Sequence, residues 1–320
     1  MLQAYVVSGG KLVPTPLEEG VRPVWIDLFN PSEESMRTAE VAVPHIEVPT
    51  RDEMEEIELS SRLYVYQGAI YLTAVLPTKA DTDQPELVPI TFVLSGQQLV
   101  TIRFHEPKAL MTFAQRTQFT TIACNDGEDI LIGLLESIIE HLADHLERVG
   151  REIDLVGRVI FNKAVGHSSK RNDELLSVLH QIGAKEEFAS RMRESLTTLV
   201  RLPPFLLVQP GRSKENKGRL KSVSRDMDAL VRHADFLSQK VAFLLDATLG
   251  MIGVEQNAII KIVSVAAVVF LPPTLVASIY GMNFDIMPEL KWALGYPMAL
   301  GMMAVAAILP YLYFKKKGWL

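Results

Sequence analysis

The sequence predicts an α+β membrane protein: a cytoplasmic α/β part, a helical stalk, and two membrane-crossing helices towards the C-terminal end. Three observations carry this reading. Two stretches, Ile262–Tyr280 and Trp292–Phe314, hold 19 and 23 residues without one charge. Residues 1–125 alternate short apolar runs with turn-rich segments. Between these regions an apolar residue recurs at alternating spacings of three and four.

In the first region, residues 24–28 (VWIDL), 69–77 (AIYLTAVLP), 90–96 (ITFVLSG) and 98–104 (QLVTIRF) read as strands. Residues 50–62 read as one helix, with Thr50 as N-cap and acids in its first turns. Its run of Asp52, Glu53, Glu55, Glu56 and Glu58 reads first as a solvated face.

From residue 129 the period becomes helical, with helices expected over 129–163 and 172–202 and Pro203-Pro204-Phe205 closing the second. His141 and His145 share a helix face, which is metal-ligand spacing. Their segment H-L-A-D-H lacks the glutamate of a zincin motif, so they read as solvated helix histidines.

The longest signal is Leu220, Val223, Met227, Leu230, Ala234, Leu237, Val241 and Leu244, an unbroken seven-residue repeat for a helix packed along partner helices. No proline lies between Pro210 and Pro272. One helix can therefore run from the cytoplasm into the membrane, about 60 residues or 90 Å. The expected division is 1–125 for the α/β domain, 126–257 for the stalk region and 258–320 for the spans.

About 20 apolar residues, rising about 1.5 Å each, cross a hydrocarbon core of about 30 Å. Lys261 opens the first span and Lys315, Lys316 and Lys317 follow the second, while the loop between carries Asp285, Glu289 and Lys291. The positive-inside rule then places both termini in the cytoplasm and the loop outside. The N-terminus lacks the basic start and apolar core of a signal peptide. Pro272 and Pro273 predict a local distortion of the first span, either a tolerated feature or the shaping of a constriction. A two-span chain is either an anchor or one of several copies around a pore.

The balance excludes several classes. A net charge of −6 argues against a nucleic-acid partner. The single cysteine, Cys124, excludes an internal disulfide and fits a reducing compartment. No G-x-x-x-x-G-K-[ST] loop occurs, which argues against an ATP-driven pump. No enzyme activity, catalytic residue or covalent cofactor is predicted.

The turn between the spans carries the chemistry. The stretch IIKIVSVAAVVFLPPTLVASIYGMNFDIMPELKWALGYP, with PYLYFKKKGWL near the end, resembles the CorA family of magnesium transporters. Gly281, Met282 and Asn283 match that family's GMN signature, and residues 287–290 its MPEL loop. The close likeness covers about residues 250–320. It implies a homopentameric funnel whose pore is lined by the first span. Gly281, Met282 and Asn283 would form the selectivity filter, with Asp285 and Glu289 at its mouth. The pore stripe carries over to Asn257, Ile260, Val263, Ala267, Leu271 and Thr274, and the basic collar to Lys315, Lys316 and Lys317. Internal Mg²⁺ would hold the channel closed through Glu55 and Glu56 on one side and Asp226 or Asp228 on the other, with Asp246 a further candidate.

The residues support this independently. Mg²⁺ surrenders its waters reluctantly, and the first span has no carboxylate to strip it. Neutral Asn283 carbonyls, with backbone carbonyls near Gly281, can accept hydrogen bonds from a hydrated ion. Gly281 allows a close or left-handed backbone there. Asn283 could alternatively be a helix C-cap, and the three lysines plain membrane anchors. The resemblance implies Mg²⁺ uptake across the inner membrane, with Co²⁺ and Ni²⁺ also passed. The alternatives are a ZntB-like zinc transporter and a membrane-anchored cation sensor that does not transport.

Overall fold

The computed structural model describes residues 1–18, 20–80, 85–119, 124–161, 169–283 and 287–319. Among them seven strands run β1 (Leu2–Ser8), β2 (Lys11–Thr15), β3 (Trp25–Phe29), β4 (Leu63–Tyr66), β5 (Ala69–Thr78), β6 (Glu86–Ser95) and β7 (Gln98–Arg103). The helices are α1 (Glu33–Ala42), α2 (Arg51–Glu55), α3 (Leu59–Arg62), α4 (Lys108–Phe119), α5 (Gly127–Phe161), α6 (Ser169–Leu199), α7 (Leu202–Val208), α8 (Lys214–Tyr280) and α9 (Gly295–Lys316). The chain divides into two compact units, residues 1–161 with 178–245, and residues 162–177 with 246–320.

In the first unit the strands form one sheet ordered β2-β1-β3-β7-β6-β5-β4. All pairings are antiparallel except β3 with β7. The period of two sends Ile26, Leu28, Val100 and Ile102 into a core with Ala39 of α1, Val43 that caps it, and Met54 of α2. Trp25, next to Ile26 and therefore on the opposite face, meets the Phe113 ring of α4 edge-on at 6.2 Å. Helices thus cover both faces, which explains the nearly unbroken burial of β5, β6 and β7. Gly127, at the start of α5, sits against the β6–β7 turn. A Cβ there would lie 2.5 Å from the carbonyl carbon of Gln98, so the close approach requires glycine.

Beyond the sheet, α5, α6 and α8 pack as a three-helix bundle. The repeat on α8 is buried, with Leu220 and Met227 at 0% exposure and Leu237 at 1%. Each such side chain contributes about 2 kcal/mol. α5 answers with its own buried stripe of Leu142, Leu146, Val149, Ile153, Val156 and Ile160, so Leu237 and Leu244 of α8 lie against Gly150 and Gly157 of α5. Ion pairs tie the three helices: Lys185 to Glu152 at 2.5 Å, Arg193 to Asp235 at 3.5 Å, and Lys240 to Asp154.

The partner helices of the repeat therefore belong to the same chain, and the repeat by itself does not call for other subunits. Three further expectations are corrected. The helix expected over 50–62 is two short helices: Thr50 caps α2 with a capping box, but Glu56 turns extended (ψ 138°) and ends it. Pro203 and Pro204 fall in the first turn of α7, where a missing N–H costs nothing, so they open a helix and do not close α6. The histidines are half-buried and not solvated, lining a cavity of about 150 Å³ with Glu106 and Ile138.

In the second unit α8 continues to Tyr280 through Pro272 and Pro273. Its apolar stretch and α9 are each long and apolar enough to cross a membrane, and both are largely uncovered.

Candidate functional site

The turn that ends α8 is built from its last carbonyls. The Gly281 N–H donates to the Ala277 carbonyl at 2.9 Å and the Met282 N–H to the Ile279 carbonyl at 3.3 Å. Gly281 is not in the left-handed region. A Cβ there would lie 3.0 Å from the Ala277 oxygen. Of the two reasons for glycine, the close approach is the one that applies. Asn283 is exposed and stands three residues beyond the last helical residue, past the C-cap position. Asp285 lies outside the described residues. Glu289 belongs to a 3₁₀ turn over Pro288–Lys291, and its side chain lies outside the description.

Asn257, Ile260, Val263, Ala267, Leu271 and Thr274 are all exposed on α8. At about 100° per residue they fall within an arc of about 120°, so they form one uncovered stripe, polar at both ends and apolar between. Thr274 donates its hydroxyl proton to the Phe270 carbonyl at 2.7 Å. Its oxygen is left as an acceptor only, which suits the water protons of a hydrated cation. Pro272 and Pro273 supply no N–H, so the carbonyls of Val268 and Val269 lose their helical donors.

Glu55 pairs with Arg51 at 2.8 Å. Glu56 uses its backbone, accepting from Arg62 Nε at 2.7 Å. Asp226 is exposed and lines a surface hollow with Glu136 and Glu140. Arg219 holds Glu136 at 2.8 Å and Arg116 holds Glu140. Asp228 and Asp246 are exposed. No group of three or more His, Cys, Asp or Glu able to hold a metal occurs among the described residues. Within one chain these carboxylates form no such group.

The histidine pair is not a metal site either. His141 Nδ1 lies 3.0 Å from the Ser137 carbonyl and must carry the proton. Arg148 can only donate, so at 3.3 Å it occupies the Nδ1 lone pair of His145. The two rings then offer a metal one lone pair, on His141 Nε2. Burial pushes the Cys124 thiol up to about 11, with the nearby Asp129 adding, which removes it as a nucleophile.

Sequence reasoning missed the polar knot in the sheet. Asp27 accepts from Arg103 Nη2 at 2.8 Å and from Thr101 Oγ1 at 2.7 Å, and Trp25 Nε1 donates to Thr101 Oγ1 at 3.0 Å. Polar residues at 101 and 103, alternating along an apolar strand, were the available signal. The knot holds β3 to β7 at the one parallel pairing.

Lys315 and Lys316 end α9 and Lys317 is its C-cap, all three exposed.

An α/β part, a helix running on into an apolar stretch, and a second apolar helix after a glycine-closed turn define a membrane protein with an uncovered stripe on the helix that leads to that turn. The chain belongs to the CorA family: the model for "CorA-like Mg2+ transporter protein" matches residues 21–316. The magnesium transport protein CorA of Escherichia coli (strain K12) is 36% identical over 326 aligned positions, covering 100% of both chains. The solved CorA magnesium transporter of Methanocaldococcus jannaschii shares the fold with a TM-score of 0.78 at 17% identity, over 100% of this chain and 99% of that one. The ZntB cytoplasmic domain of Vibrio parahaemolyticus gives 0.51 at 10% identity, over 78% of this chain and 96% of that one.

Proposed function

We propose that this chain is a Mg²⁺ channel of the inner membrane, passing Co²⁺ and Ni²⁺ as well and driven inward by the membrane potential. Five copies surround one axis, with both termini cytoplasmic and the 281–291 loop outside. The single observation that supports this most is the stripe from Asn257 to Thr274, uncovered in one chain and leading to the Gly281-Met282-Asn283 turn. Neutral oxygens suit an ion that keeps its water, because Mg²⁺ dehydrates reluctantly. Asn283 selects, Asp285 and Glu289 raise the cation concentration at the mouth, and Ile260, Val263 and Leu271 form an apolar gate that closes by dewetting. Lys315–Lys317 form a collar at the inner mouth. Internal Mg²⁺ held between subunits by Glu55, Glu56, Asp226, Asp228 or Asp246 keeps the gate shut. Residues 1–125, 126–257 and 258–320 act as sensor, stalk and pore.

The head shares its fold with a ZntB domain, so the zinc reading is the one to test against. Flux into proteoliposomes is measured for Mg²⁺ and Zn²⁺ at two values of pH. Mg²⁺ flux that follows the applied potential and ignores the pH gradient supports the channel. Zn²⁺ flux coupled to protons supports the ZntB-like carrier, and no flux of either ion supports a sensor.

A further inference from the structure

The C-terminal end of α9 is folded more tightly than an anchor of loose lysines requires. The Trp319 N–H donates to the Phe314 carbonyl at 3.1 Å and the Gly318 N–H to the Lys315 carbonyl at 3.2 Å. Gly318 has φ +70°. This is a Schellman cap with glycine at C′, and it brings the residues at C″ and C3 together. Those residues are Trp319 and Phe314, stacked with centroids 5.3 Å apart. Tyr313 meets Phe314 edge-on at 5.5 Å, and Lys317 Nζ lies 5.8 Å from the Tyr313 ring centroid.

Two consequences follow. The Tyr313, Phe314 and Lys315 carbonyls of the last turn accept from the backbone N–H groups of Lys317, Trp319 and Gly318, so no lysine ammonium group is needed to cap those three. Among the described residues Lys315, Lys316 and Lys317 also have no carboxylate partner within ion-pair distance. Three cations with no carboxylate partner among the described residues therefore stand beside an aromatic cluster at the end of an apolar, uncovered helix.

We propose that this capped end, Lys315–Lys317 with Trp319 folded onto Phe314, is a docking surface for the headgroups of anionic phospholipids. Charge complementarity argues for the class, and geometry argues for lipid over a soluble oxyanion. Successive lysines on a helix point about 100° apart, so they fan outwards and enclose no single ion. A sheet of phosphates at one depth meets all three. The tryptophan and tyrosine rings belong at that depth, where an apolar body and a polar edge are both accommodated. Near an anionic surface each lysine enriches the contact by roughly fivefold. The inference rests on α9 lying in a bilayer and not on which ion is carried.

The test uses the full chain in vesicles of equimolar phosphatidylglycerol and phosphatidylcholine, with bromine on the chains of one lipid at a time. The readout is quenching of the Trp319 fluorescence, taken as the part that W319F removes. Quenching by either lipid reports that the segment is inserted. The proposal expects brominated phosphatidylglycerol to quench at least twice as strongly as brominated phosphatidylcholine. That excess should vanish in the triple variant K315Q/K316Q/K317Q and return in K315R/K316R/K317R. Equal quenching by the two lipids in the parent, or an excess that survives the glutamine variant, overturns it. So does an excess that millimolar inorganic phosphate abolishes, since the surface would then take any small oxyanion.

Discussion

Replacing Gly281 by alanine places a methyl group 3.0 Å from the Ala277 oxygen and 3.7 Å from that of Ser278. Ordinary contact needs about 3.5 Å, so the turn or the carbonyl must yield by a few tenths of an ångström. The 2.9 Å bond from the Gly281 N–H shares that carbonyl, and stretching it forfeits at most about 1 kcal/mol. Alanine regains a similar amount at a helix end through its lower conformational entropy. The fold should barely notice, with the melting temperature within a few degrees of the parent. Asn283, two residues on, inherits the whole displacement. A shift of this size uses up most of the roughly 0.5 Å within which a preorganised site must be held, so Mg²⁺ flux should fall several-fold, short of the abolished flux expected of Asn283→Ala. Dye-loaded proteoliposomes report the flux, and light scattering with native gels reports assembly. Parental flux in Gly281→Ala at parental assembly would refute the argument that the close turn positions Asn283.

Native mass spectrometry of the detergent-solubilised chain should show pentamers; a conducting monomer would end the shared-pore reading. Neutralising Glu55, Glu56, Asp226 and Asp228 together should raise current at millimolar internal Mg²⁺, because an ion that prefers the closed state loses its ligands. Closure at the parental concentration would move the sensor elsewhere, with Asp246 next. His105 is depressed to about 4, by burial first and by Arg103 second, whereas the unfolded side chain titrates near 6.5. The unfolded chain thus binds more protons between these values. Stability is full above 6.5 and falls by up to about 3 kcal/mol as the pH drops to 4. His105→Leu, which loses no hydrogen bond because neither ring nitrogen has a partner among the described residues, should flatten the melting temperature across that window.

The parts of the fold legible in the sequence were those with long, regular periods. The charge-free runs, the repeat on α8 and the buried strands β3, β5, β6 and β7 all repeat one environment for many residues. β1, β2 and β4 did not, for local reasons. β2 is an edge strand carrying Pro14, which an edge tolerates because its N–H side is unpaired. β4 is four residues long and half exposed, so its pattern merged with the helix expected before it. The break at Glu56 depends on Arg62 reaching back to its carbonyl, a contact six residues apart that no periodicity reports. At the site, the GMN turn was legible because its three residues form one short stretch between two charge-free runs, and the close approach at Gly281 calls for the glycine. The carboxylates read as regulatory are not gathered within one chain: Glu55 already serves Arg51, and Asp226, Asp228 and Asp246 stand exposed.

The seven-residue repeat of α8 is spent on α5 of the same molecule. A chain whose longest apolar seam required a neighbour would have no folded monomer, and its stability would rise with concentration. Here the seam closes within one chain, so folding of the head is unimolecular and its equilibrium is independent of how many copies are present. Any assembly must then join finished surfaces, using what the seam leaves outside. Phe236 and Phe243 stand 54% and 60% exposed on that outer face. Phe243 also stacks on Phe161 of α5, so the cleaner test is Phe236: dilution should separate copies without melting them, and a substitution at Phe236 should loosen association while leaving the unfolding temperature of the head in place.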